Sequence, residues 1–180
     1  MKKKLKKKSK NSLIVVCHNI RSAFNVGSIF RTADGAGVDK IILGGYSAHP
    51  PHPKLLKTAL GAEQSVPYER VWQTWRVIDK LKQDGYNIIA LEKYRGAKNI
   101  FQFKPKFPLA LVLGNEVRGL SKEILKRCDN IVFLPMAGQK ESLNVSVALA
   151  PTARPVTVWV PRVTLSVTSW TVISKLDGTF

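Results

Sequence analysis

"LALVLGNEVRGLS", Leu109–Ser121, is the stretch whose reading decides the fold. Apolar residues run unbroken from Leu109 to Leu113, and the chain then turns polar at Gly114, Asn115 and Glu116. A strand wet on one face alternates apolar and polar residues, whereas an unbroken run belongs to a strand covered on both faces. "SLIVVCH" (12–18), "DKIILGG" (39–45), "YNIIALE" (86–92) and "DNIVFLP" (129–135, with Pro135 ending the strand) have the same character. Helical patterns stand between them. "FNVGSIFRTADGAG" (24–37) opens near Asn25 and is stopped by Gly35 and Gly37. "KLLKTALGAE" (54–63) suits a short helix or turn, and "SKEILKRC" (121–128) a helix. Val71, Trp72, Trp75, Ile78 and Leu81 recur at helical spacing until Gly85. The alternation predicts an α/β domain: a mostly parallel sheet with helices on both faces.

Composition bounds the partners. The 180 residues carry a formal charge of +17. Seven lysines lie in "MKKKLKKKSK", an arm (1–11) with nothing to bury. Without those seven, 22 of the 29 basic residues still face 12 acidic ones, an excess of +10. A body this basic points to a polyanion, with nucleic acid first. The apolar stretch behind the arm is too short for a signal peptide, and no run reaches membrane-spanning length. Cys17 and Cys128 stand far apart in apolar contexts, which predicts reduced core thiols and a cytoplasmic protein. His49 and His52 sit among prolines without a Cys or carboxylate nearby, so no metal site is expected. His18, at a strand end, reads as a satisfied core or edge histidine. There is no P-loop and no G-x-G-x-x-G turn after a strand.

Three segments carry chemistry together: "NVGSIFRTADGAGV", "LALVLGNEVRGLS" and "IVFLPMAGQKESLNVSVALA". In the last two a strand runs straight into a polar loop, and in open α/β sheets such loops at the carboxyl ends of strands hold ligands. Gly114 lets a backbone approach closely, and Ser142 is placed to cap a helix beginning at Leu143. In this order the segments resemble the three motifs of the SpoU/TrmH-type RNA 2′-O-ribose methyltransferases of the SPOUT superfamily. "KTALGAEQSVPYE" (57–69) is similar to the stretch between the first two motifs. The resemblance covers residues 12–150.

The resemblance implies a domain with a C-terminal trefoil knot, a homodimer, and S-adenosylmethionine bound within the knot. Gly114, Leu134 and Leu143 would line the cofactor, with Asn115 and Met136 as neighbours. Arg31 would face the reacting ribose, and Asn25, Glu116, Ser142 and Asn144 would help to orient the site. The reaction implied is methyl transfer to a ribose 2′-hydroxyl of tRNA or rRNA. A guanidinium does not give up its proton in proteins, so Arg31 is expected to position and stabilise, not to act as a base. Choice of RNA is expected to rest on the catalytic domain, its dimer partner and the lysine arm. A non-catalytic RNA-binding protein on the same fold is the alternative.

Beyond Ala150 the pattern departs from the family. Residues 151–180 hold six valines, six threonines and three prolines. They read either as a small β appendage or as a sequence that does not complete the domain. Pro151 is expected to end a helix begun at Leu143 after about two turns. That departure bears on knot closure, dimerisation and activity.

Overall fold

A computed structural model describes residues 11–139 and 142–153. The lysine arm to residue 10, Lys140, Glu141 and the tail from residue 154 lie outside them. The expected knot, which the segment after the last strand would close, involves residues outside those described.

Seven strands form one sheet: β1 Leu13–His18, β2 Lys40–Gly44, β3 Tyr68–Val71, β4 Asn87–Leu91, β5 Lys98–Asn99, β6 Leu109–Leu113 and β7 Asn130–Phe133. Their order is β3-β2-β1-β6-β4-β7-β5, and every pairing is parallel. β1 lies between β2 and β6, with Val15 opposite Ile41 on one side and Leu111 on the other. Among the described residues six helices cover it: α1 Ala23–Gly35, α2 Pro53–Ala59, α3 Ala62–Ser65, α4 Thr74–Gln83, α5 Lys122–Leu125 and α6 Val145–Ala153.

Strand residues alternate between two cores, which is why their sequence need not alternate. Leu13, Val15 and Cys17 pack with Val26, Phe30, Leu55 and Leu149 from α1, α2 and α6. Ile14 and Val16 pack with Ile78, Leu81, Ile124 and Leu125 from α4 and α5. Both faces are thus covered, as the apolar runs require. Gly27 fixes how α1 meets α2: a Cβ there would collide with the Leu55 carbonyl and the Thr58 side chain.

Several boundaries depart from the pattern reading. Val71 and Trp72 fit a helical period, yet Val71 pairs with Gly44 as the end of β3 and Trp72 is 72% exposed. Backbone pairing at the sheet edge overrides the coincidental spacing. β7 ends at Phe133, before Pro135. Helix α6 begins at Val145, not Leu143, and Pro151 lies inside it. A proline so late in α6 forfeits one intrahelical bond, and Thr152 Oγ1 donates back to the carbonyls of Ala148 (3.2 Å) and Leu149 (2.8 Å).

Both thiols are free. Burial pushes each up to about 12, as does the carboxylate of Glu116 beside Cys17 and of Asp129 beside Cys128. Neither is a nucleophile near neutral pH. No helix among the described residues is long and apolar enough to cross a membrane.

Candidate functional site

β6, β4 and β7 are neighbours, so their carboxyl ends open side by side. Their tips enclose a crevice of about 480 Å³ with Asn25 of α1 and the chain from Ser142 into α6. Leu91, Leu113, Leu134 and Leu143 give it apolar walls, and Glu92, Asn115 and Glu116 a polar rim. Gly114, Asn115, Leu134, Met136 and Leu143 all line it, as do Asn25, Glu116, Ser142 and Asn144.

Glu116 organises the rim. Its Oε2 accepts from the Arg21 N–H (3.1 Å), while Oε1 accepts from the Ser22 N–H (3.0 Å) and Asn25 Nδ2 (2.9 Å). Asn25 Oδ1 then accepts from Asn144 Nδ2 (3.0 Å), and Asn144 Oδ1 accepts from the Ser146 N–H (2.9 Å). A carboxylate only accepts and a backbone N–H only donates, so both amides in this relay have one possible orientation. The relay joins residues 91 and 119 positions apart in the chain. Partial burial pushes the Glu116 carboxyl up, but hydrogen bonds from its own N–H, Asn25, Ser22 and Arg21 prevail and hold it below the usual value.

Asn144, not Ser142, caps α6, because the helix starts at Val145 and the Asn144 side chain takes the Ser146 N–H. Ser142 keeps its place in the crevice wall. The reason for Gly114 is also different from a gap left for a ligand. A Cβ on it would lie 2.6 Å from Gly119 C and 2.7 Å from Leu120 N, so the close backbone is the chain's own. Asn115 holds that turn: its Oδ1 accepts from the N–H groups of Val117 (3.0 Å) and Arg118 (2.9 Å), and its Nδ2 donates to the Asn19 carbonyl (2.8 Å).

Arg31 stands apart. It is exposed on α1 and does not line the crevice of its own chain. It lies six positions after Asn25, which places it about 120° round the helix and about 9 Å along the axis. It shares an outward stripe with Phe24, which is 45% exposed. His18 is satisfied at both ring nitrogens, by Thr74 Oγ1 (2.9 Å) and Asn19 Nδ2 (3.1 Å). Burial lowers its pKa, while the charge of Glu123 raises it.

Pattern reading passed over Glu92. Its Oε2 accepts from the Leu120 N–H (2.8 Å), so it clamps the turn after β6 from the tip of β4. The signal was present: "IIALE", like "LVLGNE", is an apolar strand running into a carboxylate. A larger cavity of about 690 Å³ opens at the other end of the sheet, between Tyr86, Lys98, Phe107 and Asp129, remote from these strand tips. Among the described residues no cluster of His, Cys, Asp or Glu could hold a metal.

Comparison with known proteins follows the same boundaries. Residues 12–151 match the model of the SpoU rRNA Methylase family. A Staphylococcus haemolyticus protein assigned to the TrmH tRNA/rRNA methyltransferase family is 36% identical over 137 residues, 76% of this chain and 55% of that protein. The AdoMet-bound rRNA methyltransferase of Sinorhizobium meliloti superposes with a TM-score of 0.76 at 26% identity, covering 81% of this chain and 56% of that one. An RNA 2′-O ribose methyltransferase gives 0.73 at 27% identity, covering 82% and 56%. The chain thus spans little more than half the length of these proteins.

Proposed function

The chain belongs to the SpoU rRNA methylase family, and on that premise we propose that it transfers a methyl group from S-adenosylmethionine to a ribose 2′-hydroxyl of tRNA or rRNA. One observation carries the reading: the relay from Glu116 through Asn25 to Asn144 draws all three motif segments to one crevice. The crevice fits the cofactor. Its volume of about 480 Å³ lies in the range of small-ligand sites. Leucines at the strand tips give apolar walls for an adenine, and the carboxylates of Glu92 and Glu116 suit a cationic sulfonium.

When bound, the cofactor supplies an electrophilic methyl group. The residues of the chain supply alignment. Glu116, Asn25 and Asn144 fix the crevice wall against α1, so a hydroxyl presented there meets a preorganised surface. Arg31 is suited to grip the neighbouring phosphate bidentately and to stabilise the charge growing on the 2′-oxygen. The proton leaves to a phosphate oxygen or water.

Because Arg31 points away from its own crevice, this role calls for a second copy. Exposed apolar side chains on two helices that pack together suit one: Phe24 of α1, on the same outward stripe as Arg31, is 45% exposed and Val147 of α6 54%. Apolar side chains on packed helices beside a guanidinium favour a homodimer in which each Arg31 serves the partner's crevice. The same placement supports the second reading, a non-catalytic RNA-binding protein, should no dimer form.

The test uses methyl-labelled S-adenosylmethionine, the full chain and total RNA from cells lacking it. The expected product is label in alkali-resistant dinucleotides, because a methylated 2′-oxygen no longer cleaves the adjacent phosphodiester. Label in bases overturns the ribose assignment. Cofactor-free RNA binding without transfer establishes the second reading instead.

A further inference from the structure

Past the crevice, the carboxyl rim of the sheet carries two large rings that no contact described above employs. Tyr46, following β2, is 53% exposed, and Trp72, following β3, is 72% exposed. The backbone sets them side by side. The Gly45 N–H donates to the Val71 carbonyl at 2.9 Å, so the next residue on each strand end is a ring. Tyr46 also reaches the crevice lip, where Asn115 Nδ2 lies 3.4 Å from its hydroxyl, and the Tyr46 N–H is held by Asn19 Oδ1 at 3.2 Å. The Arg70 guanidinium lies over Trp72, 4.8 Å from the ring centroid.

β3 stands three places from β6 in the sheet. At about 4.8 Å per strand, Trp72 is about 14 Å from the crevice along the rim. That is on the scale of a few nucleotides of an opened strand. Every base has a face that stacks on an aromatic ring, and arginine adds a cation to the stack.

We propose that Tyr46, Trp72 and Arg70 form a stacking platform for single-stranded RNA beside the nucleotide to be methylated. Trp72 takes a base on the ring face away from Arg70, and Arg70 meets an adjacent phosphate. The inference rests on the RNA-substrate reading above and adds where the flanking strand runs. Charge favours RNA over a protein partner. Arg70 lies over Trp72, Arg76 follows four residues on in the chain, and the chain is strongly basic.

The experiment titrates the full chain into fluorescein-labelled oligoadenylate at several salt concentrations, with S-adenosylmethionine affinity measured alongside. Trp72→Ala is expected to weaken RNA binding about tenfold, and Trp72→Phe to restore most of it. The salt slope should stay unchanged in Trp72→Ala and fall by about 1 in Arg70→Ala. Cofactor affinity should match wild type throughout, which also shows that the exposed positions leave the fold intact. Wild-type RNA affinity in Trp72→Ala overturns the platform. So does weakened binding that follows a change in self-association by sedimentation, which assigns the rim to contact between copies. A wild-type chain that methylates RNA while Trp72→Ala keeps its KM sinks the platform alone. A wild-type chain that neither binds nor methylates RNA sinks the underlying reading as well.

Discussion

Replacing Glu116 tests whether its carboxylate holds α1 to the crevice. Glu116→Ala removes three acceptor contacts to the start of α1, from the Arg21 N–H, the Ser22 N–H and Asn25 Nδ2, besides a long one from Asn115 Nδ2 (3.5 Å). The carboxylate is exposed to water, so each contact is discounted to about 0.7 kcal/mol, giving a loss of about 2 kcal/mol. Glu116→Gln separates charge from shape. Its amide oxygen can replace Oε1, which serves two of the donors, but its NH₂ then faces the Arg21 N–H, donor against donor. We expect about 1 kcal/mol for that variant. The assay is urea unfolding of the full chain followed by circular dichroism, repeated across pH. The folded pKa of Glu116 is lowered from 4.5, so the ionised form favours the folded state. The contribution is complete above 4.5 and is lost as pH falls below it. The gap between wild type and Glu116→Gln should therefore narrow under acid. A Glu116→Ala protein within about 0.5 kcal/mol of wild type at neutral pH would refute the reasoning.

Arg31→Ala should abolish methyl transfer while leaving S-adenosylmethionine affinity nearly intact by calorimetry; equal loss of both would place Arg31 in the cofactor site. Mixing Arg31→Ala with Glu116→Ala should recover activity if sites are shared between copies, to less than about a quarter of wild type because α1 of the Glu116→Ala chain is loosened, and should give no more than either variant alone if each site is built within one chain. Gly114→Ala drives a Cβ into the backbone of Gly119 and Leu120, and should cost about 3 kcal/mol in urea unfolding together with cofactor affinity. Asn144→Ala removes the cap on Ser146 and the link to Asn25, for about 1.5 kcal/mol, and a double-mutant cycle with Asn25→Ala should show coupling.

How far the sequence carried the fold depended on burial. β1 and β6 are legible because every position of Leu109–Leu113 is buried, so hydrophobicity alone marks them. β3 is not, because "YERV" lies at the sheet edge with three of its four residues exposed. What makes it a strand is pairing with β2, which leaves no local trace. The site was legible where residue type dictates role: a Gly and two polar residues after an apolar run mark a strand tip. Its wiring was not. Ser142 and Asn144 are equally good caps in a string of letters, and only the start of α6 at Val145 selects Asn144. Glu92 went unnoticed because its work is to hold a backbone N–H 28 positions away.

Helix α1 faces two ways, and the relay gives that a consequence. Asn25 looks inward to Glu116 and Asn144, while Arg31 looks outward from the same rigid rod. Their separation is set by helix geometry, so whatever fixes Asn25 also fixes where Arg31 emerges. Gly27 adds a third constraint, since any side chain there would push α1 off α2. In the proposed dimer the Arg31 of one copy reaches the other copy's crevice. The register of each guanidinium is then governed by the carboxylate that shapes its own chain's crevice. Loosening Glu116 should accordingly weaken catalysis at two places: in the crevice it borders, and in the crevice its helix serves. In mixed dimers carrying one Glu116→Ala chain, the crevice of the unaltered chain should therefore lose activity as well. If that crevice stays fully active, the two faces of α1 are not mechanically linked.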